Sequence, residues 1–359
     1  MNMDKTISIE GAVCPMPLSH KDQIVMGHGS GGRMTQELIQ RIFMPHLSST
    51  ALQQGNDFGE VTLPAQAGLK GRLALSTDSH IVSPLFFPGG DIGRLAVCGT
   101  VNDVAMSGAV PLYLTAGFIL EEGLPVETLE RVMRSMEESI QEAGVQLIAG
   151  DTKVVEKGKA DGLFINTAGI GWVDESCQIG GALARPGDVV LISGTIGDHG
   201  IAVLAARGEL GFETDVQSDV APLNHLIASV LEAAPHTHVL RDPTRGGLAT
   251  TLNEIAVQSQ AAILLDENAI PVQPAVQAAC EMLGFDPLYV ANEGKVIVIV
   301  PAEEAESALE AMHGNPYGKV ACRIGTVLAA PASRVLIHTL IGGTRVLDVL
   351  AGEMLPRIC

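Results

Sequence analysis

The chain is 359 residues long, and a chain of this length is expected to fold as two domains of unequal size. Its 22 Lys and Arg against 41 Asp and Glu give a net charge of −19 at pH 7, which repels nucleic acid phosphates and anionic lipid headgroups and argues against both as partners. Apolar residues make up 47% of the chain, but they come in short runs broken by glycine, and no run reaches the roughly 20 residues of a membrane-spanning helix.

The amino-terminal region, Met1 to Asp22, has no role that we assign. It lacks a basic start followed by an apolar stretch and a small-residue cleavage site, which predicts that the protein is not exported and stays in the cytoplasm. Gln23 to Met26 is a short apolar run, followed by the glycine-rich segment Gly27 to Gly32 and a helical pattern from Met34 to Phe43. These residues predict a flexible loop in front of a helix.

The rest of the first half alternates predicted strands and helices. A polar, weakly periodic stretch from Ser48 to Gly71 comes first, and a strand then starts at Leu73 and ends at Asp78 and Ser79, so that an acidic residue marks the strand end. The remaining elements are predicted as a helix over Leu95 to Met106, a strand over Leu112 to Leu120, an amphipathic helix over Val126 to Ala143, a strand over Val145 to Ala149 that leads into Gly150 and Asp151, and a strand over Phe164 to Trp172.

The stretch from Ser176 to Gly187 is rich in glycine, contains a proline and suits a domain boundary, which we place near residue 175. In the second half, strands are predicted over Val189 to Ile192, Ala262 to Leu265 and Val296 to Val300, and helices over Ile201 to Ala206, Leu223 to Ala233, after Arg245-Gly246-Gly247, over Ala275 to Leu283 and over Glu303 to Met312. Both halves therefore predict an α/β (α+β) fold, with residues 1–22 as an extension, 23–175 and 176–350 as domains, and 351–359 as a mobile tail.

The glycine-rich segment is open to several interpretations. The spacing Gly27-x-Gly29-x-x-Gly32 is that of a dinucleotide fingerprint and would indicate a nicotinamide or flavin enzyme, but that motif needs a strand ending in an acid about 20 residues later, and the region that follows is polar. A Walker loop would need Lys and Ser or Thr where Arg33 and Met34 stand. A loop whose amides wrap an anion remains, as does a simple glycine turn.

Four aspartates, Asp78, Asp103, Asp151 and Asp242, lie beside small residues. Mg²⁺ takes oxygen ligands and keeps nucleotide phosphates as further ligands, so several carboxylates at loop ends indicate a magnesium nucleotide site. The alternative is that they are helix caps or turn residues, where aspartate is favoured for its own hydrogen bonds to the backbone. The residues alone leave both interpretations open.

Two other charged residues are candidates for proton transfer. Lys153 is either a phosphate contact and proton acceptor among these carboxylates or an exposed strand lysine. Glu293 stands beside a turn glycine and is either a general base or a solvated turn residue. His28 and His199 lie in glycine-rich surroundings, but a lone histidine is more often structural, and we assign neither a catalytic role.

The six cysteines contain no Cys-x-x-Cys pair, so neither a zinc site nor a redox dithiol is indicated. Cys359 differs from the others because it is the last residue. Prenylation needs a cysteine four residues from the end and is excluded. The terminal carboxylate disfavours the thiolate and Arg357 offsets this in part, so the reactivity of Cys359 does not follow from the sequence, and a terminal cysteine is often incidental.

Taken together, the motifs resemble the HypE family of hydrogenase maturation factors, the carbamoyl dehydratases of nickel-iron hydrogenase assembly. The resemblance spans nearly the whole chain, and the ending Pro356-Arg357-Ile358-Cys359 separates this family from the wider superfamily of aminoimidazole ribonucleotide synthetase and selenophosphate synthetase, which shares the aspartate motifs. The other matching motifs are His28 to Gly32, Ser76 to Ser79, Pro84 to Gly90, Gly99 to Ala109, Gly150 to Val155, Gly197 to Gly200, Asp242 to Gly247 and Ala291 to Lys295.

The resemblance implies a two-domain aminoimidazole ribonucleotide synthetase-like fold, a homodimer formed through the sheets of the amino-terminal domains, and ATP with Mg²⁺ bound near that interface. It implies a catalytic role for Cys359, Lys153 and Glu293. The implied nucleotide-binding residues are Gly29, Ser30, Gly31, Gly32, Thr77, Asn102 and Thr152, and the implied metal ligands are Asp78, Asp103, Asp151 and Asp242.

The implied reaction starts with a carbamoyl group that the carbamoyltransferase HypF delivers to Cys359. Phosphorylation of its oxygen by ATP makes a leaving group, so that loss of phosphate and of two protons yields a thiocyanate, S–C≡N. The implied recipient of the cyanide is the iron held by the HypC and HypD maturation proteins. A small-molecule kinase or synthetase of the superfamily would not depend on Cys359, and a non-catalytic assembly scaffold would not turn over ATP.

Overall fold

The computed structural model describes residues 32–44, 52–62, 70–208 and 214–350. Within them, the first domain is built on a five-stranded sheet in the order β1-β2-β7-β5-β6. β5 and β6 pair in parallel, and the other neighbours in this sheet pair antiparallel. The strands are β1 (Gly59–Thr62), β2 (Arg72–His80), β5 (Val110–Glu121), β6 (Gln146–Val155) and β7 (Leu163–Val173), with β3 (Phe86–Phe87) and β4 (Gly90–Asp91) as a separate hairpin.

The helices of this domain are α1 (Arg33–Leu38), which continues into a π-helical turn at Ile39–Phe43, α2 (Ile92–Ala105) and α3 (Val126–Ala143). α2 is buried on nearly every side, and the Asp91 carboxylate caps its first turn by accepting the N–H groups of Gly93 and Arg94. α3 buries only one stripe against α2, and it ends at Gly144, whose φ of +71° suits the left-handed position after a helix.

One face of the first sheet is exposed although it is apolar. Val110 and Ile148 expose 61% and 56% of their surface, and every residue of β6 up to Val154 is exposed. Tyr113 and Ile119 are exposed beside them. An apolar patch of this extent on neighbouring strands marks a surface that contacts another molecule. We refer to it below as the open sheet face, defined by the exposed side chains of β5 and β6.

The second domain contains a seven-stranded sheet in the order β14-β13-β10-β12-β8-β11-β9. Its neighbouring strands β8 and β11 are fully buried, since helices cover both faces, and this explains their unbroken apolar sequences. The strands are β8 (Val189–Ile192), β9 (Val239–Arg241), β10 (Ala262–Asp266), β11 (Ile297–Val300), β12 (Cys322–Leu328), β13 (Arg334–His338) and β14 (Thr344–Leu347). The helices are α4 (Asp198–Ala206), α5 (Asn224–Ala233), α6 (Gly247–Ser259), α7 (Pro274–Leu283) and α8 (Ala305–His313).

Residues that precede the first sheet pack against the second domain. The guanidinium of Arg241, at the end of β9, pairs with Asp57 and with Glu254 on α6, where Nη2 lies 2.6 Å from Oε2. The side chain of Gln258 donates to the carbonyl of Gly55 at 2.7 Å. The segment around residue 57 therefore belongs spatially to the second domain, although the predicted boundary lies much later in the chain.

The strand and helix predictions agree with most described elements, and α3 and β8 have the predicted bounds. The prediction that Asp78 ends its strand is wrong, because β2 stays paired with β7 as far as His80 opposite Ile165. Asp151 likewise lies inside β6, which runs on to Val155. The strands β1, β3, β4, β9 and β12 to β14 have no counterpart among the predicted elements.

Within the described ranges, no helix is both long enough and apolar enough to cross a membrane. Four of the cysteines lie in these ranges, and all four are free thiols: Cys98, Cys177, Cys280 and Cys322. The residues predicted as an extension, Met1 to Asp22, lie outside them, and so does the predicted tail, 351–359.

Candidate active site

An acid cluster forms where the two domains meet, and we use this name for Asp78, Asp103, Asp242 and Glu293. Asp78 lies on β2 and Asp103 on α2, which packs on that strand, and the hydroxyl of Ser76 donates to Asp103 Oδ2 at 2.7 Å. From the second domain, Asp242 follows the end of β9 and Glu293 precedes β11. Because β9 and β11 are antiparallel neighbours, these two residues reach the same edge of the second sheet.

The members of the acid cluster raise one another's pKa. Burial is the main reason why the pKa of Asp103 lies well above its usual value, and the charges of Asp242, Asp57 and Asp78 add to this. Burial and then Asp57 raise the pKa of Asp242 to about 8, against the opposing effect of Arg241. The pKa of Glu293 is also raised well above its usual value, first by burial and then by Asp78 and Asp242. The four carboxyl groups therefore share one electrostatic site.

The chemistry of these groups fits a divalent cation. Buried carboxylates that repel one another are stabilised in their charged form by a bound cation, and Mg²⁺ prefers oxygen ligands. Asp78, Asp103 and Asp242 supply such oxygens from three different elements. Across the part of the chain that the structure describes, no group of three or more His, Cys, Asp or Glu side chains is already arranged to hold a metal. We therefore infer donor chemistry here and no coordination geometry.

Replacing Asp242 by Asn is expected to raise the thermal stability of the metal-free protein by several degrees at pH 8 and to change it little at pH 4. The pKa of Asp242 is about 8 in the folded state and near 3.8 in the unfolded state. Between pH 3.8 and about 8, the carboxyl group therefore stays protonated in the folded state but is ionised in the unfolded state. The unfolded state ionises first, and Asp242 therefore costs stability progressively as the pH rises from about 4 to about 8. Thermal melts in chelator at both pH values measure the difference, and an equal shift at both would contradict this assignment.

Sequence reasoning missed two residues next to Asp78. The imidazole of His80 is 1% exposed, lies 3.6 Å from Asp78 Oδ2 through Nε2, and has no hydrogen-bond partner for either nitrogen among the described residues. Arg245 places Nη2 3.9 Å from Asp78 Oδ1. The available signal for His80 was the strand period, since residues two apart on β2 point to the same side. Arg245 had no such signal, because it reaches Asp78 from the other domain.

The loop that carries Glu293 is held by its neighbours. The side chain of Asn292 donates to the carbonyl of Pro243 at 2.8 Å and accepts the N–H of Gly197 at 2.8 Å. The N–H of Glu293 donates to Asp219 Oδ1 at 3.1 Å. Glu293 is thus fixed beside Asp242, which is the residue before Pro243.

Asp151 does not join the acid cluster within one chain. In the sheet register, Asp78 pairs with Thr167 on β7, and Thr167 pairs with Ala116 on β5. Ala116 pairs in turn with Gly150, the residue before Asp151. Three strand spacings of roughly 4.8 Å separate Asp78 from this point, or about 14 Å. The four aspartates of the sequence prediction therefore do not surround one ion in a single copy of the chain.

Lys153 also lies on β6 and is likewise outside the acid cluster of its own chain. Its ammonium lies 2.6 Å from Asp151 Oδ2, and both side chains are about 70% exposed, at 69% and 71%. This pair lowers the pKa of Asp151, first through the hydrogen bond from Lys153. Thr152 lies between them on the same exposed strand. Since an exposed pair is solvated, it adds little to stability. Both residues of the pair belong to the open sheet face.

The remaining predicted nucleotide-binding residues differ in their surroundings. The hydroxyl of Thr77 donates to the carbonyl of Thr167 at 3.0 Å. The amide of Asn102 is buried between the domains, where it donates to the carbonyl of Ala221 at 3.0 Å and accepts the N–H of Leu223 at 2.8 Å. Asn102 is therefore an interdomain brace in this structure and has no free amide group for a nucleotide. Gly29, Ser30, Gly31 and Cys359 lie outside the described residues.

Gly32 is the described end of the glycine-rich segment, and it immediately precedes α1. The next residue, Arg33, donates its backbone N–H to the carbonyl of Leu350 at 3.3 Å. Leu350 is the last described residue before Ala351 to Cys359. The end of the glycine-rich segment and the start of the carboxyl-terminal segment are therefore hydrogen-bonded neighbours.

The chain matches known proteins over both domains. Residues 61–173 match the family described as AIR synthase related protein, N-terminal domain, and residues 185–338 match its C-terminal domain. The chain is 55% identical over 344 residues to the carbamoyl dehydratase HypE of Cupriavidus necator, which covers 96% of this chain and 97% of the relative.

Solved structures with similar sequences also share the fold. A crystal structure of the hydrogenase maturation protein HypE in complex with ATP is 51% identical, with a TM-score of 0.77, and covers 94% of this chain and 100% of that one. A crystal structure of a HypE–HypF complex is 50% identical, with a TM-score of 0.82, and covers 87% of this chain and 99% of the other. The predicted two-domain α/β fold is confirmed by these matches.

Proposed function

Because this chain belongs to the HypE family of carbamoyl dehydratases, we propose that it dehydrates a carbamoyl group on its own Cys359 to a cyano group, with ATP, during hydrogenase maturation. The sequence match to the family covers both domains of this chain and nearly the full length of the relatives. The choice of Cys359 is supported by the hydrogen bond from Arg33 to Leu350. This bond places the start of the terminal segment directly beside the end of the glycine-rich segment.

We propose that the terminal segment extends from that point to the acid cluster. Nine residues, Ala351 to Cys359, follow Leu350. A chain of this length spans at most about 30 Å when extended. We propose that Gly29, Ser30, Gly31 and Gly32 bind the ATP phosphates through backbone amides, and that the terminal thiol meets them there. Gly32 stands directly before α1 and beside the start of the terminal segment, which supports this.

The overall reaction explains the demand for ATP. A carbamoyl oxygen is a poor leaving group, but once it is phosphorylated it departs as inorganic phosphate, and the C–N bond becomes a nitrile as two protons leave the nitrogen. Glu293 is our first proton acceptor, since its raised pKa makes it a stronger base than an exposed glutamate. Mg²⁺ held by Asp78, Asp103 and Asp242 would offset charge on the ATP phosphates.

The second proton acceptor in this proposal is Lys153 in its neutral amine form, and it requires a second copy of the chain. Lys153 and Asp151 lie on the open sheet face, about 14 Å across the sheet from Asp78. We propose that two copies pair through this apolar face as a homodimer, and that Asp151 and Lys153 of each copy complete the site of the other. The burial of Val110 and Ile148 in such an interface would account for their exposure in the single chain.

We further propose partners for the carbamoyl and cyanide steps. The HypE–HypF complex of the relative supports HypF as the carbamoyl donor for this chain. A HypC–HypD complex is the proposed acceptor of the cyanide, in the cytoplasm, where such thiols stay reduced. The net charge of −19 supports protein partners over nucleic acid or an anionic membrane surface.

The test of this function is the mass of the intact chain and of its carboxyl-terminal peptide. With HypF, carbamoyl phosphate and ATP, we expect a carbamoyl-sized gain on Cys359 that is replaced by a cyano-sized gain only when ATP is hydrolysable. Cys359→Ala is expected to show neither gain, and Cys177→Ala, which removes another accessible thiol, is expected to show both. If Cys359 of the wild-type chain stays unmodified while HypF is active, the proposal is wrong and a small-molecule kinase or synthetase takes its place.

A further inference from the structure

A buried ion cluster lies in the second domain beside the acid cluster. The ammonium of Lys295 lies 3.2 Å from Asp219 Oδ2 and 4.0 Å from Asp198 Oδ2. These side chains expose 11%, 3% and 4% of their surface, in the order Lys295, Asp219, Asp198. Buried ion pairs seldom add net stability, because removing the charges from water costs as much as their attraction returns. The pair therefore calls for an explanation other than stability.

Asp219 is connected directly to the loop of Glu293. One of its carboxylate oxygens, Oδ1, accepts the N–H of Glu293 at 3.1 Å, and the other pairs with Lys295. Between the two stands Gly294, where a Cβ atom would lie 1.7 Å from the carbonyl oxygen of Asp219. The segment of Asp219 thus touches the loop at three consecutive residues, and only glycine fits the middle position.

Packing alone does not hold this loop in place. A cavity of about 240 Å³ opens beside Gly294 and Lys295, and it is lined by polar and small residues that include Ser193, Thr195 and Ser218. A loop bordered by such a cavity has room to shift if its polar contacts are lost. The contacts that prevent the shift on this side are those made by Asp219.

We propose that Asp219 and Lys295 are positioning residues, which hold the loop so that the Glu293 carboxylate faces the acid cluster. This inference rests on the proposed role of Glu293 as a proton acceptor. Asp219 acts through the backbone of Glu293, and Lys295 holds Asp219 in the orientation that accepts this N–H. A proton acceptor that is misplaced by about 1 Å slows a reaction by about 100-fold, so the effect belongs to the chemical step.

The experiment compares Asp219→Asn, Lys295→Met and Lys295→Arg with the matched control Asp188→Asn. Asp188 is similarly buried and pairs with His238 at 2.8 Å, but it precedes β8, at the opposite end from Ser193. We expect Asp219→Asn and Lys295→Met to lower kcat for the carbamoyl-to-cyano step at least about 10-fold with the KM for ATP within about twofold. Lys295→Arg keeps the charge and is expected to retain at least about a third of kcat. Asp188→Asn is expected to keep kcat and lower only the melting temperature.

Two results separate this inference from the proposed function. If Glu293→Gln is inactive while Asp219→Asn and Lys295→Met both keep the wild-type kcat, the positioning role is overturned and the role of Glu293 stands. If Glu293→Gln itself keeps the wild-type kcat, the proposed proton acceptor is wrong. Should Asp219→Asn fail to fold, the comparison of Lys295→Met with Lys295→Arg decides, because a merely structural role would lower the melting temperature of Lys295→Met without lowering its kcat.

Discussion

A one-to-one mixture of the Lys153→Ala and Glu293→Gln proteins is expected to recover about a quarter of the wild-type activity, although each variant alone is expected to be at least about 100-fold slower in forming the cyano group. The reason is the position of Lys153 on the open sheet face, away from Asp78 and Glu293 of its own chain. In a homodimer formed through this face, Lys153 of one copy serves Glu293 of the other.

The expected fraction follows from counting sites. Subunits that exchange freely form mixed dimers in half of all cases, and each mixed dimer has one site with both residues intact and one site with neither. About a quarter of all sites are then complete. The assay measures conversion of carbamoylated chains by intact mass, after the two variants have exchanged subunits.

The matched control is a mixture of Lys153→Ala with Asp151→Asn. Both substitutions lie on β6, so every site in a mixed dimer lacks one of the two residues, and no recovery is expected. If the mixture of Lys153→Ala and Glu293→Gln also shows no recovery, although mixed dimers are present by native mass, then Lys153 acts within its own chain or not at all.

Replacing Arg241 by Met is expected to lower the free energy of unfolding by about 3–5 kcal/mol. The guanidinium is 6% exposed and serves both Asp57 and Glu254, so its removal leaves two carboxylates without their partner. Burial raises the pKa of Asp57 even though Arg241 opposes this, so the charged carboxylate depends on that partner. Urea unfolding followed by circular dichroism measures the change.

Arg345→Met is the control for this substitution. Arg345 pairs with Asp286 at 3.2 Å, and the two side chains are 43% and 37% exposed, so its loss is expected to cost no more than about 1 kcal/mol. Adding Asp57→Asn and Glu254→Gln to Arg241→Met is expected to recover part of the stability. Equal losses for Arg241→Met and Arg345→Met would mean that the buried pairs do not hold the segment around residue 57.

The local spacing of apolar residues was sufficient to predict the elements that bury one regular stripe of side chains. The helix Val126–Ala143 follows from apolar spacing alone, and its predicted bounds match those of α3. The same reasoning failed at Asp151, since glycine before aspartate indicates a turn and gives no sign of the parallel partner β5 that keeps β6 extended. β14 was missed because Thr344–Leu347 is short and has no distinct pattern of its own.

The candidate site depends on contacts between residues far apart in the chain. Asp103 and Asp242 come together partly because Asn102 braces α2 against the segment before α5, and no pattern in the sequence encodes that contact. Motif resemblance found these aspartates, and one of its motifs ends at Lys295, but it did not indicate the Asp219–Lys295 pair, whose members are distant in the chain. The residues that surround Glu293 could therefore be identified only from the folded structure.

The hydrogen bond between Arg33 and Leu350 fixes the start of the terminal segment, and this has a consequence for the kinetics of the proposed reaction. In the proposed mechanism, the thiol of Cys359 carries the substrate and follows Leu350 by nine residues, and a flexible tether of this length would hold it at an effective concentration in the millimolar range. In this mechanism the carbamoyl group has no KM of its own, and the rate per molecule is expected to stay constant on dilution as long as the proposed dimer persists. The nitrile formed stays covalently on its carrier, so no free cyanide is released while it awaits an acceptor.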